Sequence, residues 1–258
     1  TGCIYENIKD KIIKNGGKIH LNYQVTKLNS SNSLINKINF SNKKNINVNK
    51  DDTIISSLPI TLTARLLGFK SNLKFRGVRT IYISINKKIV LPRKCHWIYY
   101  SSKNIIFNRI SEHKKMSKFV SNKNKTYLSA EISYTKGDDI DKLDFKDVKK
   151  RVKSDLIKVG LVKNNEILDF SENKEDFVYP VQFSDYKYEL SKTNAKVSKF
   201  NQIYSLGTGG EFNYADSQIL FHKSMDLVNI LSNRESIRNQ VSKNHYNSKL
   251  NSIVKLGR

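Results

Sequence analysis

The residues best placed to do chemistry lie late in the chain. Gly207-Thr208-Gly209-Gly210 follows a short apolar run, Ile203 to Leu206, and precedes a helical pattern from Ser217 to Leu231. A glycine-rich turn beside a helix N-terminus is suited to anions. Backbone N–H groups point outward there, and the helix dipole places about half a positive charge at that end. Missing Cβ atoms let the backbone come close to a ligand. An ordinary left-handed turn with buried aromatics would show the same residues. Ser217 is the expected N-cap of the helix. The remaining candidates are dispersed. His20, His96, His113, His222 and His245 share no metal or triad spacing. Cys3 and Cys95 form no CxxC motif, so a reducing compartment such as the cytoplasm is expected. No metal site is expected.

Several elements must position that turn. Ile4, Ile8, Ile12 and Ile13 predict a helix over 4–14, stopped by Asn15-Gly16-Gly17. Alternation of Ile19, Leu21, Tyr23 and Val25 predicts a strand over 18–28, and residues 29–52 read as an antiparallel hairpin with polar loops. A strand over 53–58 ends at Pro59, which cannot donate to a ladder, and 60–68 reads as a short helix. The texture changes near residue 73. Strands are expected over 78–85, 95–100, 104–110 and 126–134, then an amphipathic helix over 145–159 closed by Gly160. Residues 177–183 read as a short aromatic segment around Pro180, and residues 233–258 as a polar tail. The last unit resembles the first more than the middle, as in a domain carrying an insertion.

Composition narrows the classes. The chain has 258 residues, enough for one large domain or two modest ones. No apolar run is long enough for a spanning helix, although peripheral membrane contact stays open. Net charge is +23, which suits a nucleic-acid or anionic partner. Yet 37 of the 46 basic residues are Lys and only nine are Arg. The lysines are spread along the chain, and Arg is the residue suited to bidentate phosphate and base contacts. A specific nucleic-acid partner is therefore not expected. Lys, Asn and Ile richness is also what an AT-rich coding sequence produces. The reading from another class is a non-enzymatic basic module for nucleic acid or anionic glycan.

Three collinear segments carry a resemblance: NGGKIHLNYQVTKL (15–28), DDTIISSLPI (51–60) and YSLGTGGEFNYADSQILFHKS (204–224). With HWIYY (96–100), FNRISE (107–112) and YPVQF (179–183), they are similar to the later two-thirds of FAD-dependent amine-oxidase-like flavoproteins, in the protoporphyrinogen-oxidase and UDP-galactopyranose-mutase-like branch. The resemblance covers roughly residues 1–232. It implies an α/β (mixed α+β) fold, with a Rossmann-like FAD domain incomplete at its N-terminus and an inserted mixed-sheet substrate domain. Residues 1–68 and 200–232 would form the FAD domain, and 69–199 the substrate domain. It implies FAD as cofactor, a small-molecule substrate and oxidoreductase chemistry, with a mutase acting on a nucleotide sugar as the alternative. Val25 would meet the adenine through its backbone. Gly207, Gly209 and Gly210 would line the ribityl chain and pyrophosphate, Phe212 and Tyr214 would lie near the flavin, and Ser217, Gln218 and Ile219 would present helix N–H groups to its pyrimidine end. Trp97, Tyr99 and Tyr100 fall where relatives build the substrate-facing sheet. Thr208 stands where relatives often carry Arg, and Gln218 where they often carry Asp. The GxGxxG fingerprint of the family is absent from these 258 residues, so the chain is expected to be a fragment that is inactive alone. No general base and no oligomeric state can be read from the sequence.

Overall fold

The computed structural model describes residues 2–117, 119–120 and 124–233. The polar tail expected beyond Asn233, His245 included, lies outside the described residues. The described chain is a mixed α/β structure with three separate sheets. It divides into two compact units. Unit 1 holds the described residues through Asn72, Tyr188–Glu211 and those from Asp216 onward; unit 2 holds Leu73–Lys187 and Phe212–Ala215.

Unit 1 begins with helix α1 (Gly2–Lys14), which buries none of its residues. Strands β1 (Val25–Ser31), β2 (Leu34–Phe40) and β3 (Asn45–Asn47) form an antiparallel sheet in the order β1-β2-β3. The strand expected over 18–28 is thus shorter at its start. Asn22 takes a positive φ of 61°, and Leu21 is 76% exposed, so the alternation before Val25 has no core to face. Strand β4 (Ile54–Ser56) leads through Pro59 into α2 (Ile60–Leu66). Late in the chain come α6 (Tyr186–Val197), of which this unit holds the part from Tyr188, β10 (Ile203–Ser205), the four-residue turn of helix α7 (Gly207–Gly210) and α8 (Ser217–Ser232). Strands β4 and β10 pair in parallel, Ile54 with Ile203 and Ser56 with Ser205.

Buried Gln202 joins the two sheets of unit 1. Its Oε1 accepts from Ile35 N at 2.7 Å, its Nε2 donates to Asn49 O at 2.7 Å, and its own carbonyl accepts from Ile54 N. A buried amide with these partners satisfied holds sheet and parallel pair in one register. On one face of the pair, Tyr204 and Leu206 pack with Leu227, Ile230 and Leu231 of α8.

Unit 2 is built on a five-stranded antiparallel sheet in the order β6-β7-β8-β5-β9. Its strands are β5 (Phe75–Ile85), β6 (Trp97–Tyr99), β7 (Arg109–Glu112), β8 (Thr126–Thr135) and β9 (Ile167–Pro180); α3 (His113–Met116), α4 (Asp139–Lys142) and α5 (Phe145–Lys158) connect them. Period-2 alternation turns Ile81, Ile83, Ile85, Leu128, Ala130 and Ile132 onto one face. There they bury the Val148, Val152, Leu156 stripe of α5. Two expectations need correction. Ile105, Ile106 and Phe107 are not strand: they pack on this core from a turn whose Ile106 N–H donates to Asp155 Oδ2 at 2.7 Å, and β7 starts at Arg109. The segment around Pro180 is the end of β9, a strand of 14 residues.

Candidate functional site

In unit 1 the C-terminal ends of the parallel strands β4 and β10 carry the two segments singled out from the sequence. After Ser56 the chain runs Ser57-Leu58-Pro59 into α2; after Ser205 it runs Leu206 into the glycine turn. Leu206 N donates to Ser56 O at 2.9 Å, extending the pairing to the mouth of the turn. The carboxyl ends of parallel strands are where open α/β sheets receive ligands.

The glycines of the turn serve different needs. Gly207 has φ +88°, a left-handed conformation that an L side chain strains. Gly209 and Gly210 are pressed against the chain itself. A Cβ at Gly209 would lie 3.2 Å from Pro59 Cα, and one at Gly210 3.2 Å from Ser56 O and 3.5 Å from Leu58 O. A side chain at either position would press on the backbone of the 56–59 segment. Glu211 closes the turn from below. Its Oε2 accepts from Gly207 N at 3.1 Å, and its Oε1 accepts from Lys223 Nζ at 2.9 Å. Lys223, on α8, is only 2% exposed.

Polar groups are left over around this turn. Ser205 Oγ and Thr61 Oγ1 are buried and make no hydrogen bond among the described residues. Helix α8 is capped at Asp216 rather than at Ser217, and the Asp216 carboxylate makes no capping bond. Among the described residues the N–H groups of Ser217, Gln218 and Ile219 have no acceptor, and neither have those of Thr208 and Gly209. Buried polar atoms and helix-end amides normally find partners. Val25, at the start of β1, pairs with Phe40; β1 is an edge strand of its sheet, so one side of its backbone is unpaired within that sheet.

The other predicted residues fall in unit 2. Phe212 has a φ of 53° and is 1% exposed, with ring centroids 5.1 Å from Phe75 and 6.1 Å from Tyr186. It is a core aromatic in that unit. Tyr214 is exposed, with its ring centroid 5.5 Å from that of Tyr179. Tyr100 packs on the α5-side core against Phe107, whereas Trp97 and Tyr99 are 49% and 67% exposed.

Those two aromatics belong to the sheet face away from α5. Register places Tyr99 beside Arg109 and Arg109 beside Glu131; Trp97 stands beside Ser111, and Ser111 beside Ser129. Arg109 donates to Glu131 and to Tyr99 Oη at 3.3 Å, while its buried Nε has no partner. Burial, reinforced by the nearby Glu131 carboxylate, raises the Tyr179 phenol above its ordinary pKa. His113 Nε2 shares a 2.9 Å hydrogen bond with Ser129 Oγ. Behind this face, fully buried Glu112 accepts from Val90 N, Leu91 N and Thr126 Oγ1 at 3.0, 2.8 and 2.7 Å. It ties β7, β8 and the 90–91 loop together. Sequence reasoning passed over Arg109, Glu131, Glu211 and Lys223. The signal available for Arg109 was a rare Arg within FNRISE in a lysine-rich chain. Among the described residues no group of His, Cys, Asp or Glu is placed to hold a metal ion, and no helix is long and apolar enough to cross a membrane.

No protein-family model matches the sequence, and neither does any curated protein. Solved structures do match. Reduced UDP-galactopyranose mutase superposes with a TM-score of 0.67 and 18% identity, over 82% of this chain and 46% of its own. A proposed protoporphyrinogen oxidase from Exiguobacterium sp. 255-15 gives 0.58 and 12%, over 75% and 43%. Putrescine oxidase bound to putrescine gives 0.55 and 12%, over 86% and 52%. The chain shares the fold of these three proteins. It spans about half the length of the solved structures it matches. At these identities the likeness is one of fold.

Proposed function

We propose that the chain is the later part of an FAD-dependent oxidoreductase. In this reading unit 1 is the cofactor domain and unit 2 the substrate domain. The observation that carries it is the set of unused donors in unit 1: the amides of Thr208 and Gly209 in the glycine turn and of Ser217, Gln218 and Ile219 at the start of α8, with the Ser205 and Thr61 hydroxyls. These groups fit FAD. Its pyrophosphate supplies anionic acceptors for helix-end and turn amides, and its ring and ribityl oxygens supply acceptors for hydroxyls and N–H groups. The unpaired side of edge strand β1 at Val25 offers backbone to an adenine.

When bound, FAD supplies the electron acceptor; the protein supplies binding, orientation and electrostatics. The α8 amides would hold negative charge near the helix start, where the dipole favours it. The Ser56 hydroxyl, 3.0 Å from Thr63 Oγ1, stays committed to the protein. In unit 2 the exposed Trp97 and Tyr99 would stack on a small-molecule substrate beside the partly exposed Arg109 guanidinium. The test uses this chain and the polypeptide extended upstream as encoded. A strand–GxGxxG–helix in the extension and stoichiometric flavin absorbance on the extended protein are expected. The 258-residue chain, which lacks that fingerprint, is expected to lose FAD on purification. An extended protein that stays colourless after reconstitution would overturn the proposal.

A further inference from the structure

The Lys223–Glu211 pair has no role in the cofactor reading as it stands, yet it sits directly under the turn. Glu211 bonds to Gly207 N with one carboxylate oxygen and to Lys223 Nζ with the other. Its backbone N–H also donates to Gly207 O at 2.8 Å. Gly207 at the start of the turn is thus tied to Glu211 through both its N–H and its carbonyl, and the Glu211 side chain is tied to α8. A buried ion pair is seldom more stabilising than apolar residues of the same size. Its value lies in what it fixes.

It also settles a charge problem. Glu211 places a carboxylate against a turn whose free amides suit an anion. Left alone, that negative charge would repel the ligand that the amides attract, and burial would weaken screening by solvent. Lys223 neutralises it from the side away from Gly207.

We propose that Lys223 is a positioning residue. Acting through Glu211, it holds the Gly207–Gly210 turn in one conformation and cancels the charge that would otherwise bar an anionic ligand. The ligand half of this rests on the FAD reading; the conformational half stands without it.

The experiment compares wild type, Lys223→Met, Lys223→Arg, Glu211→Gln and the double variant Lys223→Met/Glu211→Gln. Amide exchange of the 258-residue chain is read first. Lys223→Met should speed exchange at Gly207 and Glu211 by about tenfold or more, with Thr63 and Leu67 of the α2 region unchanged. Lys223→Arg should stay near wild type. Exchange at Gly207 and Glu211 within about twofold of wild type, or a uniform rise across α8 and α2, would overturn the conformational half. FAD is then titrated into the extended polypeptide. Lys223→Met should weaken binding by about tenfold or more, and the double variant, which again has no net charge beneath the turn, should recover most of it. Lys223→Met binding FAD like wild type, or a double variant as weak as the single, would overturn the counter-charge half. Wild type that binds no FAD would instead refute the FAD reading and the ligand half together, leaving the exchange result to decide the conformational half. Rescue by a second, neutralising substitution separates electrostatics from lost packing.

Discussion

Gly210→Val is a sharp test of how the turn is held. A Cβ at this position would lie 3.2 Å from Ser56 O, 3.5 Å from Leu58 O and 3.5 Å from the Ser205 carbonyl carbon. All three neighbours are backbone, so none can swing aside. Valine adds two further carbons to that contact. Overpacking of this kind costs about 1–3 kcal/mol. With a urea m-value of about 2 kcal/mol/M, the midpoint should fall by about 0.5–1.5 M. The damage should be local to unit 1. Exchange should accelerate at Leu206 N, which donates to Ser56 O, and at Ile54 N, which donates to Gln202 O. Gly137→Val is the control: its φ of +88° strains a side chain, but nothing lies within 4 Å of its Cβ. It should leave the Leu206 and Ile54 amides untouched. A Gly210→Val protein with the wild-type midpoint and unchanged exchange at those amides would refute the packing of the turn against 56–59. Because this substitution strains the protein itself, it is a poor probe of ligand contact. Thr208→Glu, which places a negative charge beside the free amides, is the better one.

Three further outcomes follow from the same structure. Glu112→Ala strands the buried N–H groups of Val90 and Leu91, at about 1–3 kcal/mol each; thermal unfolding should show a clear loss, and Glu112→Gln, which keeps an acceptor, a smaller one. Asp141 is held at a pKa of about 2 by hydrogen bonds from Lys174 and the Gly137 N–H, with Lys136 adding charge. Its folded pKa lies below its ordinary 3.8, so this stabilisation is present above that value and is lost as pH falls toward 2. Acid titration of unfolding should show that slope, and Asp141→Asn should flatten it. Binding to DNA should be weak and independent of sequence, with a Kd of about 10⁻⁴–10⁻⁶ M near physiological salt; a tight, sequence-selective complex in a binding titration would favour the basic-module reading.

Legibility from sequence followed the strength of local patterns. Strands β5 and β8 and helix α5 carry clean periods because one face of each is buried in a common core. Strand β9 was largely missed because it lies at the sheet edge, where Glu172, Lys174, Glu175 and Asp176 interrupt any alternation. Charges on an edge discourage pairing with other chains and also hide the strand from a reader of periods. Helix α6 buries only Thr193 and Val197, so it presents almost no apolar stripe. The segment over 18–24 erred the other way: its alternation is real, but no partner strand takes it up. At the site, the glycine turn and the helix after it were legible because both are local. The Gln202 bridge, the Glu211–Lys223 pair and the Arg109–Glu131–Tyr99 group were not, since each joins residues whose proximity only the fold creates. The reason for Gly209 and Gly210 was likewise hidden, because Pro59 and Ser56 lie about 150 residues earlier.

Amide exchange with and without FAD, on the polypeptide extended upstream as encoded, tests the cofactor site most directly. Saturating FAD should slow exchange at Thr208, Gly209, Ser217, Gln218 and Ile219, the amides now lacking acceptors. The amides of Val148 and Val152 on α5 should not change. Bound flavin with no protection at those five amides would contradict the placement of the cofactor at the glycine turn and the start of α8.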